Sequence, residues 1–430
     1  MPWTSPDDRL TPEEHDRFLA GVRERVRSHR RRRRMLLAGI GGLGIVLIAV
    51  TSIALVSGGA RPQRLRTAGP PKTGPEPTAV GTAVTNTTQP APTPPTVEPG
   101  SLSFINALDG WSLGQLCTTS CTPVLSVSRD GGATWTALPR PPTSGGIRFA
   151  SPADGYLYAA KVGALAAPPA TPGVFVTHDG GRTWVQSPLN GPVATIVVGA
   201  RDDWAMVGSC DPSCSYQLFV SSDRGRSWQA TSLHIAGVPA TPVRSGPVGW
   251  VYVADPGTPG PPQLWYSGDD GRHWSQRSSG CPGADSASLA AASSEDLWLV
   301  CAGQPGAGSQ DKTMLRSRDG GLQWQAVATS GLGATPLGSI PPVGYLSSIA
   351  AVSDQAGWMA LDRGTMYVTK DGGVTWAQAP GWPPPELFFG DLQFLDRQHG
   401  WAAATEGAYS PGNGIYRTVD GGQTWHRIPL

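Results

Sequence analysis

Lysine is nearly missing from this chain: Lys72, Lys161, Lys312 and Lys370 are the only four in 430 residues. Charged residues of both signs make up 15%, and the net charge is +1. Without a basic stripe along a fold, there is no electrostatic case for nucleic acid as a partner. Six Cys and seven His are scattered without the paired spacing of a metal site. No nucleophile–base pair and no carboxylate pair stands out. The sequence therefore nominates no catalytic residue, no metal ligand and no cofactor. What it has in quantity is Gly (56), Pro (42) and Trp (16). The first two signal turns or an extended segment, and the third calls for a structural reason.

The small net charge hides an asymmetry. Residues 1–34 hold ten Arg against six Asp or Glu and end in Arg30 to Arg34. Met35 to Ser57 is then 23 residues without a charge. As a helix it spans roughly 34 Å, enough for a hydrocarbon core of about 30 Å. Arginines on its N-terminal side predict a short cytoplasmic segment, a single-pass signal anchor and a C-terminal bulk outside the membrane. The small residues Ser57 to Ala60 leave a cleaved signal peptide open as the alternative. Residues 58–100 read as a linker. Ten Pro and nine Thr between 61 and 100, with few large apolar side chains, give an extended stalk that buries no core.

From residue 101 to 430 the chain repeats itself. One unit has the form S/T-x-D-x-G-x-x-W and occurs seven times. Its Asp and Trp residues are Asp130 and Trp135, Asp179 and Trp184, Asp223 and Trp228, Asp269 and Trp274, Asp319 and Trp324, Asp371 and Trp376, and Asp420 and Trp425. The Asp spacings are 49, 44, 46, 50, 52 and 49. A second unit precedes each box and is anchored by Trp111, Tyr156, Trp204, Trp250, Trp298, Trp358 or Trp401. Five of these anchors follow a Gly. Seven positions before each lies an apolar residue, from Phe104 in the first repeat to Phe394 in the last. The two units hold 13 of the 16 Trp, so tryptophan is a property of the repeat.

Each period reads as four short strands. Four strands per 40–50 residues, repeated radially, predict an all-β, seven-bladed propeller of antiparallel blades. The box chemistry is structural. Its Asp accepts backbone N–H groups across a tight turn, its Gly residues supply positive φ, and its Trp buries a large face. Seven carboxylates spread around a rim cannot converge on one substrate.

These units resemble the Asp-box, or bacterial neuraminidase, repeat. That group includes sialidases, sortilin-type receptors and the photosystem II assembly factors. The paired form is most similar to the last, as in Leu392 to Trp401 followed by Thr418 to Trp425. The resemblance implies the propeller fold over 101–430 and leaves function open across enzymes, receptors and assembly factors. A sialidase would carry an arginine triad and an F/Y-R-I-P segment before its first box. Here the nearest string, His426 to Pro429, follows the last box.

With the four strands of a period called a to d in order, the a–b and c–d turns share one face of the disc. The b–c and d–a connections lie on the other, and their variety predicts a recognition surface there. Loops at Gly114 to Pro123 and Ala328 to Gly344 fall on that face. So do Trp382, Glu386, Phe388, Phe389, Glu406 and Tyr409, as candidate ligand contacts. Cys117 with Cys121, Cys210 with Cys214, and Cys281 with Cys301 are disulfide candidates, which suits an extracytoplasmic location. Zinc is the rival for those sulfurs. The sequence thus predicts a surface-anchored binding, sensing or assembly module with an unidentified protein or carbohydrate partner. A sialidase-like glycoside hydrolase is the alternative.

Overall fold

The computed structural model describes residues 97–430, except 118–119, 160–172, 211–213, 240–241, 255–261, 282–283, 285, 307, 331–337, 363–364, 383–387, 406–412 and 429–430. The expected basic segment 1–34, the span 35–57 and most of the linker lie outside the described residues. Among the described residues, no helix is long and apolar enough to cross a membrane.

Seven antiparallel sheets follow one another along the chain. Blades 1 to 7 span 97–137, 146–186, 193–236, 238–277, 286–339, 345–378 and 388–428. Each holds four strand positions, called a to d here, paired in sequence order. Strand a of blade 1 starts at Val97, four residues before the expected boundary. Blade 4 departs from the pattern: its first position is split into Val238–Pro239 and Val243–Ser245, both paired with Val248–Ala254. Blade 5 adds Gly338–Ser339, parallel to Gln325–Thr329. The expected loop Gly114 to Pro123 is largely ladder instead. Gly114 pairs with Val124, Gln115 with Pro123 and Cys117 with Cys121, so the b–c connection shrinks to a hairpin tip.

The core lies in the joints between blades. Seven apolar clusters occur among the described residues, and each joins two neighbouring blades. Strand b therefore has a neighbour on both faces. Gly155–Tyr158 and Leu297–Ala302 are buried almost throughout, although they belong to antiparallel sheets. Such strands read as continuous apolar runs rather than alternating ones. A four-stranded sheet alone would be marginal, and stacking supplies the burial it lacks.

Among the described residues every blade comes from one contiguous stretch, and no strand is shared between the two ends of the propeller to close the ring. Side chains close it. The Phe104 amide donates to Gln393 Oε1 at 2.9 Å, and Gln393 Nε2 donates to the Phe104 carbonyl at 2.7 Å. The Leu102 amide donates to Asp391 Oδ2 at 3.2 Å. The same device recurs elsewhere: Ser101 and Ser103 accept from Ile147 and Phe149 of blade 2, and Ser288 accepts from Ile349 of blade 6. A polar side chain in one inner strand satisfies a backbone N–H in the next, where no ladder partner exists.

Candidate functional site

The short-turn face is built from the seven boxes. In blade 1, Gly132 N donates to Ser128 Oγ at 2.7 Å, and Ser128 Oγ donates to Asp130 Oδ1 at 2.8 Å. The same carboxylate accepts Thr134 N at 2.9 Å and Thr134 Oγ1 at 2.6 Å. This pattern returns at Asp179, Asp223, Asp371 and Asp420. At Asp269 the hydroxyl is replaced by the His273 imidazole, and Asp319 accepts the Leu322 and Gln323 amides with no side chain from the fourth residue. Burial works against the charged form of Asp179, yet the Thr183 hydroxyl and amide outweigh it and hold the carboxyl down to about 2. Asp269 also falls to about 2, against its own burial, through His273. The residue before the box Trp is thus part of the turn, and the S/T-x-D-x-G-x-x-W pattern left that position open. The second Gly is required conformationally: Gly132 has φ 91° and Gly181 96°.

Five of the strand-b aromatics tie their blade to the next box. Trp401 Nε1 donates to the Gly131 carbonyl at 2.8 Å, Trp111 to Gly180 at 3.0 Å and Trp358 to Gly421 at 3.0 Å. Trp204 reaches Asp270 and Trp250 reaches Gly320, both at 2.8 Å. Three of these indoles stack on a phenylalanine of the next blade: Trp111 on Phe149 and Trp401 on Phe104 at 3.8 Å, and Trp358 on Phe394 at 3.5 Å. That explains the apolar residue seven positions before each anchor. The Gly before the anchor leaves room for such rings: a Cβ on Gly249 would meet the Trp204 ring at 2.0 Å. Arginines lie over several indoles, Arg129 over Trp111 at 4.9 Å, Arg244 over Trp204 at 4.4 Å and Arg316 over Trp298 at 5.0 Å. Each also has an aspartate partner, Asp109, Asp270 and Asp296. These guanidinium groups are distributed one per joint and engaged in packing.

A concave feature opens on this face. A cleft of about 460 Å³ lies between blades 6 and 7. The a–b turns of both blades contribute Gln355, Arg397 and Gln398, and their boxes contribute Lys370, Val419 and Gln423. The Trp358 indole lies at its base and is 1% exposed. Asp420 also lines it, but its carboxylate is occupied by Thr418 and Thr424 of its own box. Arg397 reaches Asp354 at 4.0 Å, with both side chains more than half exposed. The predicted recognition surface was the opposite face, so this cleft is a feature that sequence reasoning missed. The signal was present in Lys370, one of four lysines.

Of the proposed contact residues, Trp382 alone has a described side chain. Trp382 is 9% exposed and packs against Trp425 and Tyr416, with ring centroids 5.0 and 5.2 Å away. It belongs to the blade 7 core, a correction to its reading as a loop contact, because its flat apolar ring fills the gap beside the last box. Phe388 and Phe389 are the first residues of strand a in blade 7, opposite Thr405 and Ala404. Glu386, Glu406 and Tyr409 lie outside the described residues. Cys117 is bonded to Cys121, and Cys281 to Cys301. Cys214 is also disulfide-bonded, and Cys210 faces it in the ladder. Sulfurs bonded in disulfides are not available to zinc, and among the described residues no cluster of metal ligands occurs.

No protein-family model matches the chain, and no curated protein is significantly similar to it. Solved structures are. YCF48 bound to D1 peptide is 19% identical with a TM-score of 0.52, over 76% of this chain and 94% of that one. YCF48 from Cyanidioschyzon merolae is 15% identical with a TM-score of 0.51, over 76% and 97%. An ancestral GH74 enzyme is 14% identical with a TM-score of 0.54, over 78% of this chain and 47% of that protein. At such identities the likeness speaks for fold, and the chain has a seven-bladed propeller of the kind seen in the YCF48 structures.

Proposed function

We propose that this propeller is a binding and assembly-scaffold module that holds a polypeptide partner outside the membrane, tethered by residues 35–57 and held off the bilayer by the Pro/Thr-rich stalk. The observation that carries the reading is the cleft that opens between the turns of blades 6 and 7, above the stacked Trp358 and Phe394 rings that close the joint beneath it. A neighbour with the same fold has been captured with a peptide bound, which supports a polypeptide occupant. Rigid scaffolds with a cleft of a few hundred Å³ suit such ligands.

Cross-linking of the full-length protein in intact cells, read by mass spectrometry, tests this. The expected result is a reproducible partner protein joined through the propeller, with the tether traced to residues 35–57. Cross-links confined to the protein itself, or sugar released from polysaccharide by the purified chain, would overturn it.

A further inference from the structure

In blades 1 and 2 the cation at the second box position has an acidic neighbour. In blade 1 that cation is Arg129, and it pairs with Asp109 at 2.9 Å. In blade 2 it is His178, paired with Asp154 at 2.8 Å. The acid sits two residues before the aromatic anchor in both blades, and Asp202 and Asp296 occupy the same place in blades 3 and 5. Blade 6 keeps the cation as Lys370 but has Ala356 where the acid would stand. Both residues line the cleft. Lys370 is exposed, so its charge faces the cavity without the neutralising group found in blades 1 and 2.

The surroundings are mixed rather than uniformly basic. Gln355, Gln398 and Gln423 offer amide donors and acceptors at the rim. Apolar side chains stand out on the same face. Val419 is 45% exposed inside the cleft, with Val374 and Leu395 exposed on the same two blades. The other charged groups of the cleft already have partners: Arg397 lies 4.0 Å from Asp354, and the Asp420 carboxylate accepts from Thr418 and Thr424. One ammonium beside them, among amides and apolar side chains, fits one carboxylate on a peptide better than a phosphate group, which calls for several cations or a row of backbone N–H groups.

We infer that the cleft between blades 6 and 7 binds an acidic peptide segment, with Lys370 taking the place of a missing internal ion pair by holding an Asp or Glu carboxylate of the partner beside an apolar side chain packed on Val419. This rests on the scaffold reading above and assigns it a place and a chemistry.

The full-length protein in detergent, probed with an array of hexapeptides carrying a fixed central Asp or Glu between apolar residues, provides the test. The same array with Asn or Gln at the centre serves as the control. Expected is binding to the acidic set, reduced about tenfold for the amide set. Lys370→Ala weakens binding to a similar degree, and Lys370→Arg retains it. Ala356→Asp installs the acid of blades 1 and 2 and should compete for Lys370, lowering affinity with the lysine still present. Thermal unfolding of each variant verifies that the ring is intact. If the protein binds acidic peptides but Lys370→Ala and Ala356→Asp leave affinity unchanged, the site assignment fails and the scaffold reading stands. If only inorganic phosphate or a sulfated polysaccharide competes at the cleft, the peptide chemistry is wrong. If no peptide binds and cross-linking finds no partner, both readings fall together.

Discussion

The Tyr156 hydroxyl donates to the Asp203 carboxylate at 2.5 Å, with both residues shut away from solvent. Three departures from the repeat meet here. Tyr156 stands where six blades have Trp, Asp203 where five have Gly, and Arg224 where most boxes have a Gly at positive φ. Arg224 Nη1 reaches both oxygens of Asp203, at 2.8 and 2.9 Å. Burial first, and then the Asp203 charge, push the phenol well above its ordinary range, so it stays a donor. A tyrosine is too short to reach the next box carbonyl as the indoles do, and the triad replaces that bond. Tyr156→Phe should cost about 1–3 kcal/mol, the range for stranding a buried acceptor. Asp203→Ala should cost about 3–5 kcal/mol by leaving Arg224 uncompensated. The pair should be strongly non-additive in urea unfolding, and additive losses would show that the triad is not a unit.

The indole staple gives a comparison between equivalent sites. Trp250 donates to the Gly320 carbonyl, whereas the buried Trp298 indole N–H has no acceptor and the Gly372 carbonyl of the next box accepts from Arg316 at 3.3 Å. Both rings are fully buried. Trp250→Phe should therefore destabilise the propeller by about 1 kcal/mol more than Trp298→Phe. Equal shifts in the urea midpoint would remove the hydrogen bond from the account.

Acid should loosen the boxes late. A carboxylate whose folded value is depressed adds stability above its unfolded value and loses it as pH falls through the folded one. Asp179 and Asp269 move from 3.8 to about 2, so their contribution fades between about pH 4 and pH 2. Asp179→Asn and Asp269→Asn variants should show a flatter loss of stability over that window when melting temperature is followed against pH. An unchanged slope in both would mean that these turns do not depend on charge.

Lys312 is 1% exposed, and its ammonium faces the carbonyls of Gln310, Pro342, Val343 and Gly344 at 2.9 to 3.4 Å. It pins the approach to blade 6 onto blade 5. Burial, only partly offset by Asp311, brings its value down to about 8 from 10.5. The unfolded chain then binds more protons between those values, so stability should rise with pH from about 8 to 10.5. Lys312→Met should abolish that rise and free the 340–345 segment, read as faster amide exchange at Gly344 and Leu346. Retained protection there would contradict the pin.

The box repeat was legible because its bonds close within four residues, as between Asp130 and Thr134. The strand-b anchors were legible as a period, but their purpose was not. Trp401 meets Gly131 270 positions away, and no local pattern encodes which carbonyl an indole will reach. The reading of Trp382 as a ligand contact failed for the same reason. A Trp in a Pro-rich loop looks exposed until the neighbouring Trp425 is placed beside it.

Sequence periodicity by itself determined the blade number, the turns and the positions of the aromatic anchors, since each follows from spacing and short-range hydrogen bonding. Tertiary structure alone decided which joints close by stacked rings, which close by a buried triad, and where a cleft opens above a closed joint. Those outcomes depend on what two chain segments, distant in sequence, present to each other across a joint. Lys370 and Ala356 are unremarkable apart; only their juxtaposition leaves a charge without its partner.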